Sequence, residues 1–220
     1  MGAADDRRHM VERQLRARGI HNERLLEVMA TIPRERFVAQ GSERRAYHDE
    51  ALPIDQGQTI SQPYIVAEMT ELIDPHPGDW ILELGTGSGY QAAILAAMGA
   101  RVLTIERHPT LAMQARERLD ALADGVGRRV EIRVGDGSLG ASDRAPYDGI
   151  LVTAAAPAIP VELRDQLATT GGRLVIPIGP RDQQILMLVH RDGNDWSETP
   201  HGRCVFVPLI GAGGFAGDPS

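Results

Sequence analysis

Between residues 83 and 89 the chain reads Glu83-Leu84-Gly85-Thr86-Gly87-Ser88-Gly89, between an apolar run and a helix-like pattern. Glycines at a strand-to-helix turn let a ligand approach the backbone, and the C-terminal strand edge is where open α/β sheets bind ligands. The dinucleotide fingerprint G-x-G-x-x-G does not fit, because its last position is Tyr90 and the third glycine is Gly89. An acid ahead of the turn, Glu83, also disfavours a pyrophosphate beside it. Alternating glycines behind an acid instead suit a ligand carrying an ammonium and a sulfonium, which is S-adenosylmethionine. The expected donor contacts are Glu83, Gly85, Thr86, Gly87 and Ser88. Glu106 ends the next strand, where a carboxylate can take both ribose hydroxyls, with Arg107 and His108 flanking the adenine. Glu106 alone does not separate the two cofactors, since both carry a ribose. After a third strand come Gly135-Asp136-Gly137, where Asp136 could accept from the adenine amino group and Gly137 adjoins it. Taken singly, such glycines are often packing devices and such acids solvated caps or turn residues. The order and spacing of the three elements together carry the assignment.

The elements that must position these residues follow from periodicity. Residues 5–32 repeat apolar side chains at three- and four-residue spacing, with Asn22 as a candidate N-cap, Gly19 as a break between two helices and Pro33 as a stop. Residues 33–62 have no period, and a connection of that length is usually functional or disordered. Ser61-Gln62-Pro63 reads as a hydroxyl cap with Pro just inside a helix start. Strands are then expected at 80–84, 101–105, 129–134, 147–153 and 173–176, and helices at 88–98, 111–122 and 161–167. Strands alternating with helices, several apolar throughout, imply a parallel sheet covered on both faces. Residues 184–189 and 203–208 are expected to form an antiparallel pair across a polar turn, and residues after Gly211 to fray. The expectation is one domain over 1–220. It comprises a helical cap (1–50), an acceptor loop and helix (51–75), a donor-binding core (76–180), C-terminal strands (181–210) and a tail (211–220).

Composition narrows the partners. The 220 residues hold 23 Lys and Arg against 30 Asp and Glu, a formal charge of −7. A nucleic-acid or anionic-membrane binder would want clustered positive charge, so neither partner is expected. No apolar run approaches the ~18 residues of a membrane span. The one cysteine, Cys204, leaves no internal disulfide and fits a reducing compartment, and no secretory h-region follows the polar first residues. A cytoplasmic, monomeric protein is expected. None of the seven histidines pairs with another at i+2 or i+4, so no metal site is expected. Cys204 reads as a small core residue.

The acceptor side is read from a resemblance. Ala46-Tyr47-His48-Asp49, Leu52-Pro53-Ile54 and Gly57-Gln58-Thr59-Ile60-Ser61-Gln62-Pro63 closely resemble the acceptor segment of protein-L-isoaspartate O-methyltransferases of bacterial type. The similarity continues in order through 82–93, Gly135-Asp136-Gly137, Pro146-Tyr147-Asp148, Thr153-Ala154-Ala155-Ala156-Pro157, 171–177 and Val205-Phe206-Val207-Pro208-Leu209. It runs from about Met10 to Leu209. The resemblance implies a three-layer, Rossmann-like class I S-adenosylmethionine-dependent methyltransferase fold. It implies transfer of a methyl group to the α-carboxylate of L-isoaspartyl residues in damaged proteins, giving an ester that collapses to succinimide. Ser61 stands where the family's active-site serine stands. Thr59 and Ile60 would line donor and acceptor pockets with Ser61, and Val205 and Val207 would help hold the peptide.

The chemistry agrees with the residues. An α-carboxyl group ordinarily has a pKa of about 3.5, so the acceptor is already ionised and needs no general base. Ser61 then acts as an orienting donor rather than a nucleophile. Helix capping alone would also explain that serine. The family often has glycine where Asp55 stands, and Asp tolerates a left-handed backbone. Three other readings remain open: a small-molecule methyltransferase of the same fold, a non-catalytic S-adenosylmethionine sensor and, most weakly, a nicotinamide oxidoreductase. His48 is the one histidine inside the acceptor segment.

Overall fold

Apolar runs that alternate with amphipathic helices form a seven-stranded sheet in the computed structural model, which describes residues 2–217. A helical cap comes first: α1 (Ala3–Met10), extended by irregular turns to Arg18, and α2 (Glu23–Thr31). Gly19 ends the first arm in a left-handed conformation (φ 95°), and the Asn22 side chain caps α2 by accepting from Leu25 N–H at 3.1 Å. Both expected roles are seen.

The aperiodic stretch is ordered. A small antiparallel hairpin, β1 (Leu52–Pro53) and β2 (Thr59–Ile60), pairs Leu52 with Ile60 and Pro53 with Thr59. Its turn is made left-handed by Gln56 (φ 59°) and Gly57 (φ 66°), so Asp55 does not occupy the left-handed position. The Asp55 carboxylate accepts from Gln114 Nε2 at 2.7 Å instead. Helix α3 (Pro63–Ile73) follows, with Gln62 as N-cap and no side-chain cap. The expected hydroxyl cap is therefore absent. With Pro63 at the first helical position, Ser61 lies one residue too early to cap.

The main sheet contains β3 (Trp80–Leu84), β4 (Arg101–Glu106), β5 (Val130–Val134), β6 (Gly149–Val152), β7 (Thr170–Ile178), β8 (Gln184–Asp192) and β9 (Asp195–Cys204). Their spatial order is β5-β4-β3-β6-β7-β8-β9. Strands β5, β4, β3, β6 and β7 run parallel, and the β7–β8 and β8–β9 pairs are antiparallel. Helices α4 (Tyr90–Ala97), α5 (Pro109–Asp120) and α6 (Val161–Asp165) complete the layers. Ile81, Val102, Leu151 and Val175 pack into one buried cluster with the cap, α3, α4 and α5. Leu82, Leu103, Ile150 and Leu174 point into a second cluster on the other face, with Leu163 of α6.

The C-terminal pair needs correction. The second strand is Asp195–Cys204, and 205–208 is irregular apart from a bridge between Pro208 and Ala155. As the sheet's edge, β9 is exposed at every residue but Cys204, so it needs no apolar alternation. The residues after Gly211 also differ from expectation. Gly211 N–H donates to Phe215 O and Phe215 N–H to Leu209 O (2.7 Å), closing a turn against residues 136–138. Residues 218–220 lie outside those described. Among the described residues, no helix is long and apolar enough to cross a membrane.

Candidate active site

The sheet order reverses at β3: the chain proceeds to β4 and β5 on one side and to β6 and β7 on the other. Open α/β sheets bind ligands in the crevice at such a point, beyond the carboxyl ends of the strands. Here the crevice is a cavity walled by the glycine turn, the ends of β4 and β6, and the acceptor segment. Its walls bring together Thr59, Ile60, Ser61, Gly85, Thr86, Gly87, Ser88, Glu106, Arg107 and Gly137. Residues 135–137 follow β5, and Thr153 and Ala154 follow β6.

The glycine turn is shaped by close approach. Gly85 has φ +99°, and a Cβ there would lie 2.4 Å from Thr153 Oγ1. That hydroxyl's one proton is shared between the carbonyls of Gly85 (2.6 Å) and Leu84 (3.0 Å), fastening the turn to the end of β6. The Glu106 carboxylate accepts from Gly87 N–H at 2.8 Å and from His108 N–H at 3.0 Å. A carboxylate offers about four lone-pair sites, so two remain for a ligand's hydroxyls. The turn, a carboxylate held at its edge and the N-terminus of α4 together fit the methionine and ribose ends of the expected donor.

Two predicted donor residues are not cavity walls. Glu83 is fully buried behind the turn, in register with Thr104 on β4. Thr104 Oγ1 donates to Glu83 Oε2 at 2.5 Å and lies 2.7 Å from Thr86 Oγ1, so the acid reaches the cavity only through two hydroxyls. Burial, helped by the nearby Glu106 charge and opposed by the Thr104 bond, pushes the Glu83 pKa up to about 8. Asp136 turns toward the C-terminal segment. Its oxygens accept from Ser138 N–H (2.8 Å) and Ala212 N–H (3.0 Å). Gly211 permits this approach, because a Cβ there would sit 2.1 Å from Asp136 Oδ1. The same closure puts Ile210 on the donor wall.

A second, open groove holds Ser61, Gln62, Ile65, Arg203, Cys204, Val205 and Phe206 among its walls. Val205 is 73% exposed at its mouth. Val207 accepts from Ala155 N–H at 2.8 Å, and Phe206 N–H donates to Gln184 Oε1 at 2.8 Å, which fixes this segment beside β6. Cys204 is buried, and burial with the Glu68 charge pushes its thiol up to about 11, leaving it an inert wall. Thr59, Ser61, Thr153 and Val207 border both spaces. Among the described residues the Ser61 hydroxyl has no hydrogen-bond partner; its carbonyl accepts from Arg34 Nη2 at 2.7 Å.

Sequence reasoning did not single out Thr153, Ile210 or Arg34. For Thr153 the signal was present in the Thr153-Ala154-Ala155-Ala156-Pro157 run, which follows β6 directly. His48 is a wall of neither space; it is exposed, with Nδ1 3.5 Å from a Glu50 oxygen.

Comparison with known proteins points the same way. The family model of protein-L-isoaspartate(D-aspartate) O-methyltransferase matches residues 5–213. A Methanoculleus marisnigri protein-L-isoaspartate O-methyltransferase is 54% identical over 217 residues, covering 98% of this chain and 96% of its own. One from Koribacter versatilis is 50% identical over 215 residues, covering 98% and 95%. In fold, the chain is similar to a Plasmodium falciparum crystal structure assigned as such an enzyme in complex with S-adenosyl-L-homocysteine. The TM-score is 0.80 at 24% identity, with 93% of this chain and 98% of that chain covered.

Proposed function

The chain belongs to the protein-L-isoaspartate(D-aspartate) O-methyltransferase family, and from that premise we propose that it methylates the α-carboxylate of L-isoaspartyl residues in damaged proteins, with Ser61 orienting the acceptor. The observation that carries this reading is the junction itself: donor cavity and peptide groove meet at Thr59, Ser61, Thr153 and Val207. When bound, S-adenosylmethionine supplies a methyl group on a sulfonium.

The protein's residues supply position and exclusion of water. Gly85 to Ser88 and Glu106 hold the donor, with Ile60, Arg107 and Gly137 beside them. Ser61 Oγ–H is free to donate to one oxygen of the acceptor carboxylate, leaving the other to attack in line. That oxygen's lone pair forms the O–CH3 bond as the S–CH3 bond breaks, and the bonding pair returns to sulfur. An anion and a cation become two neutral products, so no proton has to move and no base is required. Positioning of this kind can be worth roughly 7–11 kcal/mol of barrier. Val205 and Val207 line the peptide's path. Glu83 and Asp136 act one step back. Glu83 steadies Thr86 through Thr104, and Asp136 holds the C-terminal turn that closes the donor wall.

The methyl ester closes spontaneously to a succinimide as the following backbone nitrogen displaces methanol, and water then opens the ring partly to normal aspartate. We read the chain as one cytoplasmic, monomeric domain acting on isoaspartyl proteins, without nucleic-acid or membrane partners. The shared core of cap and sheet, the charge of −7 and the single cysteine support that reading.

Ser61→Ala tests the role of the serine. Because the hydroxyl caps nothing, the unfolding midpoint and donor affinity are expected to match wild type. The single-turnover rate is expected to fall about 10- to 100-fold, the effect of losing a positioning hydrogen bond. An unchanged rate would remove Ser61 from the chemistry.

A further inference from the structure

The structure assigns to Arg34 the role of positioning residue for methyl transfer: its guanidinium clamps the two ends of the acceptor segment. This rests on the reading of Ser61 given above. Arg34 lies on the turn after α2 and is 0% exposed. Nε donates to Ala46 O and Nη2 to Ser61 O, each at 2.7 Å. Among the described residues no carboxylate pairs with it, and Nη1 makes no hydrogen bond. Its Cζ lies 5.0 Å from the ring centroid of Tyr90, a wall of the donor cavity. Desolvation lowers its pKa to about 10, so it stays cationic at neutral pH.

Burying an unpaired cation is costly, and an apolar side chain of similar volume usually serves stability as well or better. An apolar residue cannot supply two donors in a rigid planar fork. Here the fork is used on main-chain carbonyls separated by 15 residues of sequence, one just before the acceptor hairpin and one on Ser61 itself. Holding the Ser61 carbonyl fixes the peptide plane next to its Cα, and with it the direction of the Cα–Cβ bond that carries Oγ. The cation under Tyr90 sets the same anchor against the donor wall. Arg34 touches neither substrate, so its effect passes through Ser61.

Two variants test this. Arg34→Lys keeps the charge and stem but presents a point donor that reaches one carbonyl; Arg34→Met keeps only the stem. Below each variant's unfolding midpoint, kcat on an isoaspartyl peptide is expected to fall about tenfold in Arg34→Lys and about a hundredfold in Arg34→Met, the cost of misplacing a reacting group by about 1 Å. The dissociation constant for S-adenosylmethionine is expected to stay within about threefold of wild type, because the glycine turn and Glu106 are untouched. Leu26→Ala, in the core and a wall of neither space, serves as the stability control. It is expected to keep kcat while losing a comparable part of the midpoint.

Wild-type kcat in both Arg34 variants would overturn the proposal. So would an equal loss of kcat in Leu26→Ala, or failure of both Arg34 variants to fold, since each would make Arg34 a residue of stability alone. A wild-type protein that binds the donor but methylates no isoaspartyl peptide would instead overturn the acceptor reading, and Arg34's role with it.

Discussion

At the scale of single residues, the three predicted acids end in three environments. Glu106 faces the donor cavity, Asp136 is turned away into a loop contact, and Glu83 is sealed inside the sheet. Residue type and strand position made all three legible as candidates. The direction of each carboxylate was not, because it depends on partners distant in sequence: Thr104 for Glu83 and Ala212 for Asp136. Glu83 has a consequence for stability. Burial raises its pKa from 4.5 to about 8, so between those values the folded chain holds a proton that the unfolded chain has released. Stability from this group is therefore greatest below pH 4.5, declines as pH rises and levels off above about pH 8. Glu83→Gln is expected to remove that decline. Near pH 8.5 the variant should be the more stable by an amount on the order of a few kcal/mol, with little difference at about pH 4. Denaturant unfolding at both pH values checks this; parallel profiles for the two proteins would contradict it.

At the scale of elements, the acceptor hairpin is the piece whose shape matters most and whose sequence pattern says least. It has no period because it is built from long-range ties. Gln14 Nε2 holds Tyr47 O at 2.8 Å, Gln62 Nε2 holds Asp49 O at 3.1 Å, and Asp55 is tied to Gln114 on α5. Motif similarity located the segment, while its order became visible only with these partners in place. The Asp55 contact joins the hairpin tip to the helix beside the donor site, and its charge faces α5 and Arg118 rather than the peptide groove. A hydrogen bond of this kind is worth about 1 kcal/mol. Asp55→Ala is therefore expected to lower kcat/KM for the isoaspartyl peptide about fivefold. Acidic and basic peptides should be affected alike, which steady-state kinetics on a charge-varied pair would show. A loss confined to basic peptides would mean that the carboxylate contacts the acceptor. The edge strand Asp195–Cys204 escaped the sequence for a related reason: pairing with β8, not its own pattern, makes it a strand.

At the scale of the whole molecule, chain order explains why a site exists where it does. Apolar strands separated by helices made the parallel sheet legible, and its reversal at β3 opens the crevice that the glycine turn lines. The helical cap then delivers the acceptor hairpin to that crevice, sharing one buried cluster with the sheet face below it. Thr153 and the 205–209 segment arrive from the other side of the reversal, so donor and acceptor spaces meet only in the folded chain. The alternatives of a small-molecule methyltransferase or a donor sensor differ from this account in what enters the open groove. The most direct test offers methyl-labelled S-adenosylmethionine with two peptides that differ only in Asp or isoAsp at one position. Label transfer to the isoAsp peptide alone, released as volatile methanol at alkaline pH, is the expected result. Donor binding without transfer to either peptide, or equal transfer to both, would contradict it.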